Sequence, residues 1–265
     1  MKNRMKAKLA AGVPAFGLSV MIPSPQVVES AAGLGFDWVL IDCEHGTIGV
    51  ESMELMIMAA EASGVTPIVR PRTNGAADIL QAMDRGAQGV QIPHVHDAET
   101  ARAAVRAVKF HPLGERSLAA GTRASGYGLR GGVGDFVAEA NRETLVCVQI
   151  EDESALAHVD AILRVEGVDV FFIGPSDLSQ SMGHPGNPKA APVARAIEET
   201  LAKIVAAKKT PGMPASTDAV QAVLAKGVCY IYTHLPAILS AGAKGYFAAV
   251  ERELSPERAG DRVSP

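Results

Sequence analysis

The feature that most constrains this chain is a rhythm: short apolar runs rich in β-branched residues alternate eight times with Ala-rich stretches of helical periodicity. Continuous apolar runs of strand length belong to parallel strands buried on both faces, because each βα unit lays a helix over the sheet. Strands are predicted at 16–20, 38–42, 67–70, 89–93, 145–150, 168–173, 211–215 and 228–232. Between them fall helices at 50–62, 75–85, 98–108, 153–163, 193–208 and 217–226, some opened by Ser, Thr or Asp caps and some closed by Gly. Eight such units without a Gly-rich dinucleotide fingerprint predict an α/β chain folded as a closed (β/α)8 TIM barrel rather than a doubly wound sheet. The length of 265 residues suits one barrel. We therefore expect a single domain over 1–254 and a polar, Pro-containing tail over 255–265.

Composition narrows the partners. A formal net charge of -4 and no clustered basic surface argue against nucleic acid, while local arginines still suit a small anion. The basic start is broken by Gly12 and Pro14, unlike a signal peptide or membrane span, and no membrane partner is expected. Cys43, Cys147 and Cys229 lie in apolar strand-like runs without metal spacing, so they read as reduced, buried thiols of a cytoplasmic protein. Segments 111–134 and 175–192 break the short-loop rhythm, and both are expected to rise as loops from the C-terminal face of the barrel.

Ionisable residues concentrate where predicted strands end. Strand two runs into Asp42-Cys43-Glu44-His45-Gly46, strand three into Arg70-Pro71-Arg72, strand five into Gln149-Ile150-Glu151-Asp152, and strand six into Gly174-Pro175-Ser176-Asp177. In a parallel barrel those ends surround one pocket. Read singly, Glu151 and Asp177 are strand-end acids capping the next helix; as a pair facing Arg70 and His45, they suit Mg2+ or Mn2+. Arg70, at the end of an apolar strand, needs a carboxylate, an enolate oxygen or a structural acid opposite it. His45 reads as a general base, a structural histidine or a third metal ligand. Asp42 and Glu44 read as groups orienting metal-bound water rather than as ligands. His94, His96, His184 and His234 read as surface or loop histidines, and His94-x-His96 is only a weak Zn2+ spacing.

The runs GFDWVLIDCEHG, PIVRP, DRGAQGVQIPHV, QIED and VDVFFIGPSDLSQSMGHPGNP, in that order, resemble the HpcH/HpaI family of class II pyruvate aldolases over about residues 5–250. The resemblance implies reversible retro-aldol cleavage of 4-hydroxy-2-oxo acids to pyruvate and an aldehyde. It implies that Glu151 and Asp177 hold Mg2+, Mn2+ or Co2+, with no organic cofactor, and that pyruvate chelates the ion while Arg70 hydrogen-bonds its keto oxygen. Gln149, Ser176 and Asp177 would seat the substrate, and His45 with Asp84 would manage the protons. No Schiff-base lysine is needed, and no predicted strand interior contains one. Since Asp84 lies near the end of the predicted helix 75–85, ahead of the fourth strand, it falls at the opposite end of the barrel from His45. It is therefore expected to enter the site of a neighbouring subunit in a homo-oligomer, a hexamer by expectation, whose C-terminal helix can be exchanged between subunits.

This sequence departs from the family pattern around the aldehyde half. Ser19 stands where a tryptophan is common, Arg72 where a small polar residue is common, and IYTHLPA lacks the usual glycine and aspartate. Arg72, Arg116 and Arg123 read as binders of a carboxylated aldehyde or as solvated loop charges. Two other functions compete: a malyl- or citramalyl-CoA-type lyase, which needs a longer chain and a basic nucleotide site, and an inactive barrel serving as a binding protein. Against the latter stands the charge gathered at Glu151, Asp177, Arg70 and His45, which destabilises a site without a function.

Overall fold

The computed structural model describes residues 2–253, so the predicted polar tail lies outside the described residues. Eight parallel strands close into a barrel in chain order. They are β1 (Ala15–Val20), β2 (Trp38–Asp42), β3 (Thr66–Arg70), β4 (Gly89–Ile92), β5 (Leu145–Ile150), β6 (Val170–Ile173), β7 (Thr210–Pro214) and β8 (Tyr230–His234). The helices are α1 (Arg4–Ala10), α2 (Pro25–Gly33), α3 (Val50–Ser63), α4 (Ala76–Asp84), α5 (Ala98–Val108) and α6 (Val133–Glu143), followed by α7 (Glu153–Ile162), α8 (Pro175–Ser181), α9 (Ala191–Ala206), α10 (Val220–Ala225) and α11 (Leu235–Glu253). The barrel shuts where β8 pairs with β1, which sets Ser19 beside His234. The (β/α)8 expectation is met.

The period of two along each strand divides the core. One set of side chains, including Trp38, Leu40, Ile68, Cys147, Phe172 and Tyr230, fills the barrel interior. The alternate set, with Val39, Ile41, Val69, Val90 and Val148, packs outward beneath Met56, Ile57, Ile79 and Met83 of the helices. Inside, the Trp38 and Tyr230 rings lie 4.1 Å apart between centroids. That stacking depends on Gly17, where a Cβ would fall 2.3 Å from the indole. Local chemistry sets the helix ends: Ser24 accepts the Val27 N–H ahead of Pro25, Asp97 and Thr100 form a reciprocal cap on α5, and Asp152 accepts the Ala155 N–H at the start of α7.

Two loop expectations fail. Residues 175–181 are not loop but helix α8, which starts on Pro175 directly after the sixth strand. Only Leu178 and Ser179 of this short element are buried, so it carries no apolar stripe for periodicity to detect. Segment 111–134 does not rise from the C-terminal face. It follows α5 and leads through α6 into β5, so it joins a helix to a strand and lies at the N-terminal end of the barrel. The cause was the omission of α6, whose first residues Val133 and Gly134 fell inside the supposed loop.

The buried thiols and phenols predict an alkaline limit to stability. Burial pushes the Cys43 thiol up to about 12 and holds Cys147, Tyr230 and Tyr232 above their ordinary values. These groups keep protons in the folded chain that the unfolded chain releases. Their contribution is complete below the unfolded values, about 8.5 for a thiol, and is lost as pH rises through the folded ones. Lys109, which burial and then Lys6 lower to about 8, acts in the opposite sense but is a single group. Melting temperature should fall from pH 8.5 to 10.5, with Cys43 and Cys147 each contributing up to about 1.4 kcal/mol per pH unit. The Cys43→Ala variant should show a shallower fall; an identical slope would refute the assignment.

Candidate active site

The β2–β3 register places Asp42 beside Arg70 at the carboxyl ends of the two strands. Arg70 Nε donates to Asp42 Oδ1 at 2.9 Å and Nη2 to Oδ2 at 2.5 Å, with side chains 6% and 0% exposed. Asp42 Oδ1 also accepts the backbone N–H groups of Glu44 and His45 at 3.1 and 3.2 Å, folding the 42–46 turn over the pair. Glu44 Oε2 lies 3.2 Å from Arg70 Nε. Burial disfavours the Arg70 charge, but the hydrogen bonds and charge of Asp42, with Tyr232 and Glu44 behind, raise its pKa above the ordinary value. The guanidinium is thus a fixed, permanent cation. Of the three sequence-based readings of Arg70, an acid opposite it is present, and both Asp42 oxygens are committed to it.

Glu151, just past β5, is 2% exposed. Its Oε1 accepts the His94 backbone N–H at 2.7 Å, and its Oε2 accepts the Gln149 amide at 2.5 Å. Gly174 permits this packing, since a Cβ there would sit 2.8 Å from Glu151 Oε2. Burial raises the Glu151 carboxyl and the Asp177 charge raises it further, against the His94 N–H. A cavity of about 170 Å3 at these strand ends is lined by Arg70, Gln149, Glu151, Ser176, Asp177 and His45. The cavity therefore gathers His45, Arg70, Gln149, Glu151, Ser176 and Asp177 from four strand ends, with Asp42 clamped to Arg70, while Asp152 turns to His96.

Asp84 is the exception. It ends α4 ahead of β4, at the opposite end of the barrel, and accepts from Arg116 Nη2 at 2.8 Å. Arg116 and Arg123 share that end. The Arg116 side chain is 1% exposed, and Arg123 donates to the Arg85 carbonyl at 3.1 Å and pairs with Glu61. Neither is a solvated loop charge, and neither reaches its own chain's strand-end cavity; Arg72, exposed beyond β3, stays at the strand-end side. His45 is half exposed, with Nε2 3.8 Å from Glu44 Oε2.

Two residues dismissed in the sequence belong here. His94 sits at φ 55, a left-handed backbone costly for a side chain other than Gly or Asn, and its Nε2 lies 2.9 Å from Glu44 Oε1. His234, the last residue of β8, lines the cavity opposite the acids. Burial, and then Arg70, lower its pKa and favour a neutral imidazole. Position at a strand end was the available signal for both. His96 Nδ1 turns instead to Asp152 at 2.5 Å, so the His94-x-His96 pair does not converge on one ion.

Fold and site together define a (β/α)8 barrel with a charged cavity at the carboxyl ends of its strands. The sequence profile of the HpcH/HpaI aldolase/citrate lyase family matches residues 16–229, and the chain belongs to that family. It is 41% identical to a hydroxypyruvate/pyruvate aldolase of Sagittula stellata over 77% of this chain and 79% of that one. It is also 41% identical to a 4-hydroxy-2-oxo-heptane-1,7-dioate aldolase of Shigella sonnei, over 80% of each. Among solved structures, an HpcH/HpaI aldolase/citrate lyase family protein of Burkholderia cenocepacia superposes with a TM-score of 0.87 at 28% identity, covering 95% of this chain and 99% of that one.

Proposed function

We propose that this protein cleaves 4-hydroxy-2-oxo acids to pyruvate and an aldehyde, and that the strand-end cavity is where it does so. The observation that carries the reading is the fixed Arg70 cation facing Glu151 and Asp177 across a space sized for a small oxo acid. In the cleavage direction a base takes the proton of the 4-hydroxyl, the C3–C4 bond breaks, and its electron pair enters the pyruvate enolate. The enolate is then protonated at C3. Arg70 hydrogen-bonds the oxygen on which that charge develops, and its clamp by Asp42 means that it need not reorganise when the charge appears. Gln149 and the backbone at Ser176 seat the carboxylate and keto oxygens. His45, on the open side of the cavity, exchanges the proton with the 4-hydroxyl.

The pair Glu151 and Asp177 suits a hard divalent cation: with Glu44 nearby, the carboxylates outnumber the positive charge of Arg70, and like charge already raises Glu151. Mg2+, Mn2+ or Co2+, when bound by Glu151 and Asp177, would supply Lewis-acid polarisation of the oxo acid. With two protein carboxylates as ligands, the remaining positions of such an ion would be taken by substrate oxygens and water. The test is to strip the protein of metal, supply 4-hydroxy-2-oxo acids of several lengths, add each ion in turn and follow pyruvate. Ion-dependent release is expected; no release with any substrate and ion would defeat the reading.

The site is completed in a homo-oligomer, a hexamer in this reading, where Asp84 of one subunit meets His45 of the next. Two observations support assembly. Helix α11 leaves Leu239, Tyr246 and Phe247 at 62%, 66% and 53% exposure. An open groove of about 210 Å3, lined by Phe16, Phe36, Val220 and Ile231 and by Ile238 in the first turn of the chain's own α11, lies beside β8 and β1 and leaves apolar surface for a neighbouring subunit's helix. Mixing inactive His45→Ala with inactive Asp84→Ala subunits should restore part of the activity, because hybrids regain some intact sites; no recovery after verified exchange would place Asp84 outside the chemistry. The proposed setting is the cytoplasm. The three free cysteines support it, and among the described residues no helix is long and apolar enough to cross a membrane.

A further inference from the structure

A polar chain runs through the otherwise apolar barrel interior, and it ends on the site. The Tyr230 hydroxyl donates to Gln91 Oε1 at 3.0 Å, the Gln91 amide donates to Gln149 Oε1, and Gln149 Nε2 donates to Glu151 Oε2 at 2.5 Å. Tyr230 and Gln91 are 0% exposed and Gln149 is 1% exposed. Tyr230 is fixed from two sides, by Trp38 at 4.1 Å and by the edge-on Phe172 ring at 6.1 Å between centroids. Burial keeps its phenol protonated, so the hydroxyl retains a proton to donate.

The direction of each bond follows from the one before. A side-chain amide has an acceptor end and a donor end, and inside a dry barrel neither can turn to water. Gln91 presents its oxygen to the Tyr230 hydroxyl and its NH2 to Gln149 on β5, with the Tyr232 phenol of β8 also beside its amide. Gln149 must then turn its oxygen down to Gln91 and its NH2 up. The NH2 meets Glu151, which the His94 N–H holds from the other side, and Gln149 itself lines the cavity, so its second amide proton, without a partner among the described residues, can meet one only in that space. A Phe and an aliphatic side chain would fill the same volume without a polar group to satisfy, and replacing both partners of a buried hydrogen bond is close to neutral for stability. Orientation is what the pair contributes beyond packing.

We propose that Tyr230 and Gln91 are positioning residues that act through Gln149, holding its amide so that one proton fixes Glu151 and the other binds an oxygen of the oxo-acid substrate. This inference rests on the aldolase reading above, and its test is chosen to survive the failure of that reading. Metal-stripped wild type, Tyr230→Phe and Gln91→Met are titrated with Mn2+ by calorimetry, and then with pyruvate in saturating Mn2+. Groups supporting a metal ligand change affinity by roughly 10–100-fold when removed, and these lie one residue further out, so a loss of about three- to tenfold is expected for both ligands. In the cleavage assay KM should rise by a similar factor while kcat stays within about twofold, since ground-state seating is what is lost. In a Gln149→Ala background, Tyr230→Phe should have no further effect on either affinity.

Unchanged Mn2+ and pyruvate affinities in both folded variants, with only the melting temperature altered, would overturn the proposal and leave the chain a packing feature. An equal effect of Tyr230→Phe with and without Gln149 would also overturn it. Should Tyr230→Phe fail to fold, Gln91→Met, which preserves length and removes both amide atoms, carries the same test. The Mn2+ titration reads the network even if no 4-hydroxy-2-oxo acid is turned over, so loss of the aldolase reading and loss of this one give different results.

Discussion

Replacing Arg70 with Ala is expected to lower kcat/KM by about a thousandfold and, in the same variant, to lower stability by about 3–5 kcal/mol. The first effect follows from removing the fixed donor on which enolate charge would develop. The second follows from Asp42, whose carboxylate is 0% exposed and takes both of its strongest hydrogen bonds from Arg70. Without its partner that charge is buried and unpaired, which is the costly half of breaking such a pair. The two effects separate in a double variant. Adding Asp42→Asn to Arg70→Ala should recover most of the stability, read by thermal melting, and none of the turnover, read by pyruvate release. Recovery of activity in the double variant would show that Arg70 serves only to neutralise Asp42.

Replacing Glu151 with Gln is expected to weaken divalent-cation binding by at least about a hundredfold, measured by calorimetry on metal-stripped protein, and to abolish cation-dependent turnover. The fold should respond far less. In the metal-free chain the amide relieves a charge that burial and Asp177 disfavour, but its NH2 must face either the His94 N–H or the Gln149 NH2, so the two effects oppose and the melting temperature should change little. Ligand binding to the native state alone stabilises it by about 2.7 kcal/mol at a hundred times Kd. Added Mn2+ should therefore raise the melting temperature of wild type and leave that of the variant in place. A cation response that persists in Glu151→Gln would move the binding site elsewhere.

The strand-end acids show how far one-dimensional reading reaches. Asp42, Arg70, Gln149, Glu151, Ser176 and Asp177 were legible because each lies at or a few residues past the end of a run whose length and apolar character identify a buried parallel strand. His234 and His94 occupy equivalent positions and were read as loop histidines. The predicted eighth strand stopped two residues short of His234, and nothing in the sequence announces a left-handed residue other than Gly at His94. Tyr230 and Gln91 were hidden for another reason. Both sit inside strands, where a lone polar residue among aliphatics looks like noise until its partner on a distant strand is known.

The sequence by itself determined the eight βα units, the face each strand residue takes and the end of the barrel where the ionisable groups gather. Those properties are local: they follow from a side-chain period of two along strands, 3.6 along helices, and the parallel direction that βα units impose. Only the tertiary structure decided which partner each group meets. Strand register gave Arg70 to Asp42, barrel closure brought Tyr230 of β8 to Gln91 of β4, and the return from α5 to α6 carried Arg116 to Asp84 and Arg123 to Glu61 at the far end. Pairings across such separations depend on register and chain path, which the burial pattern of any single segment does not encode.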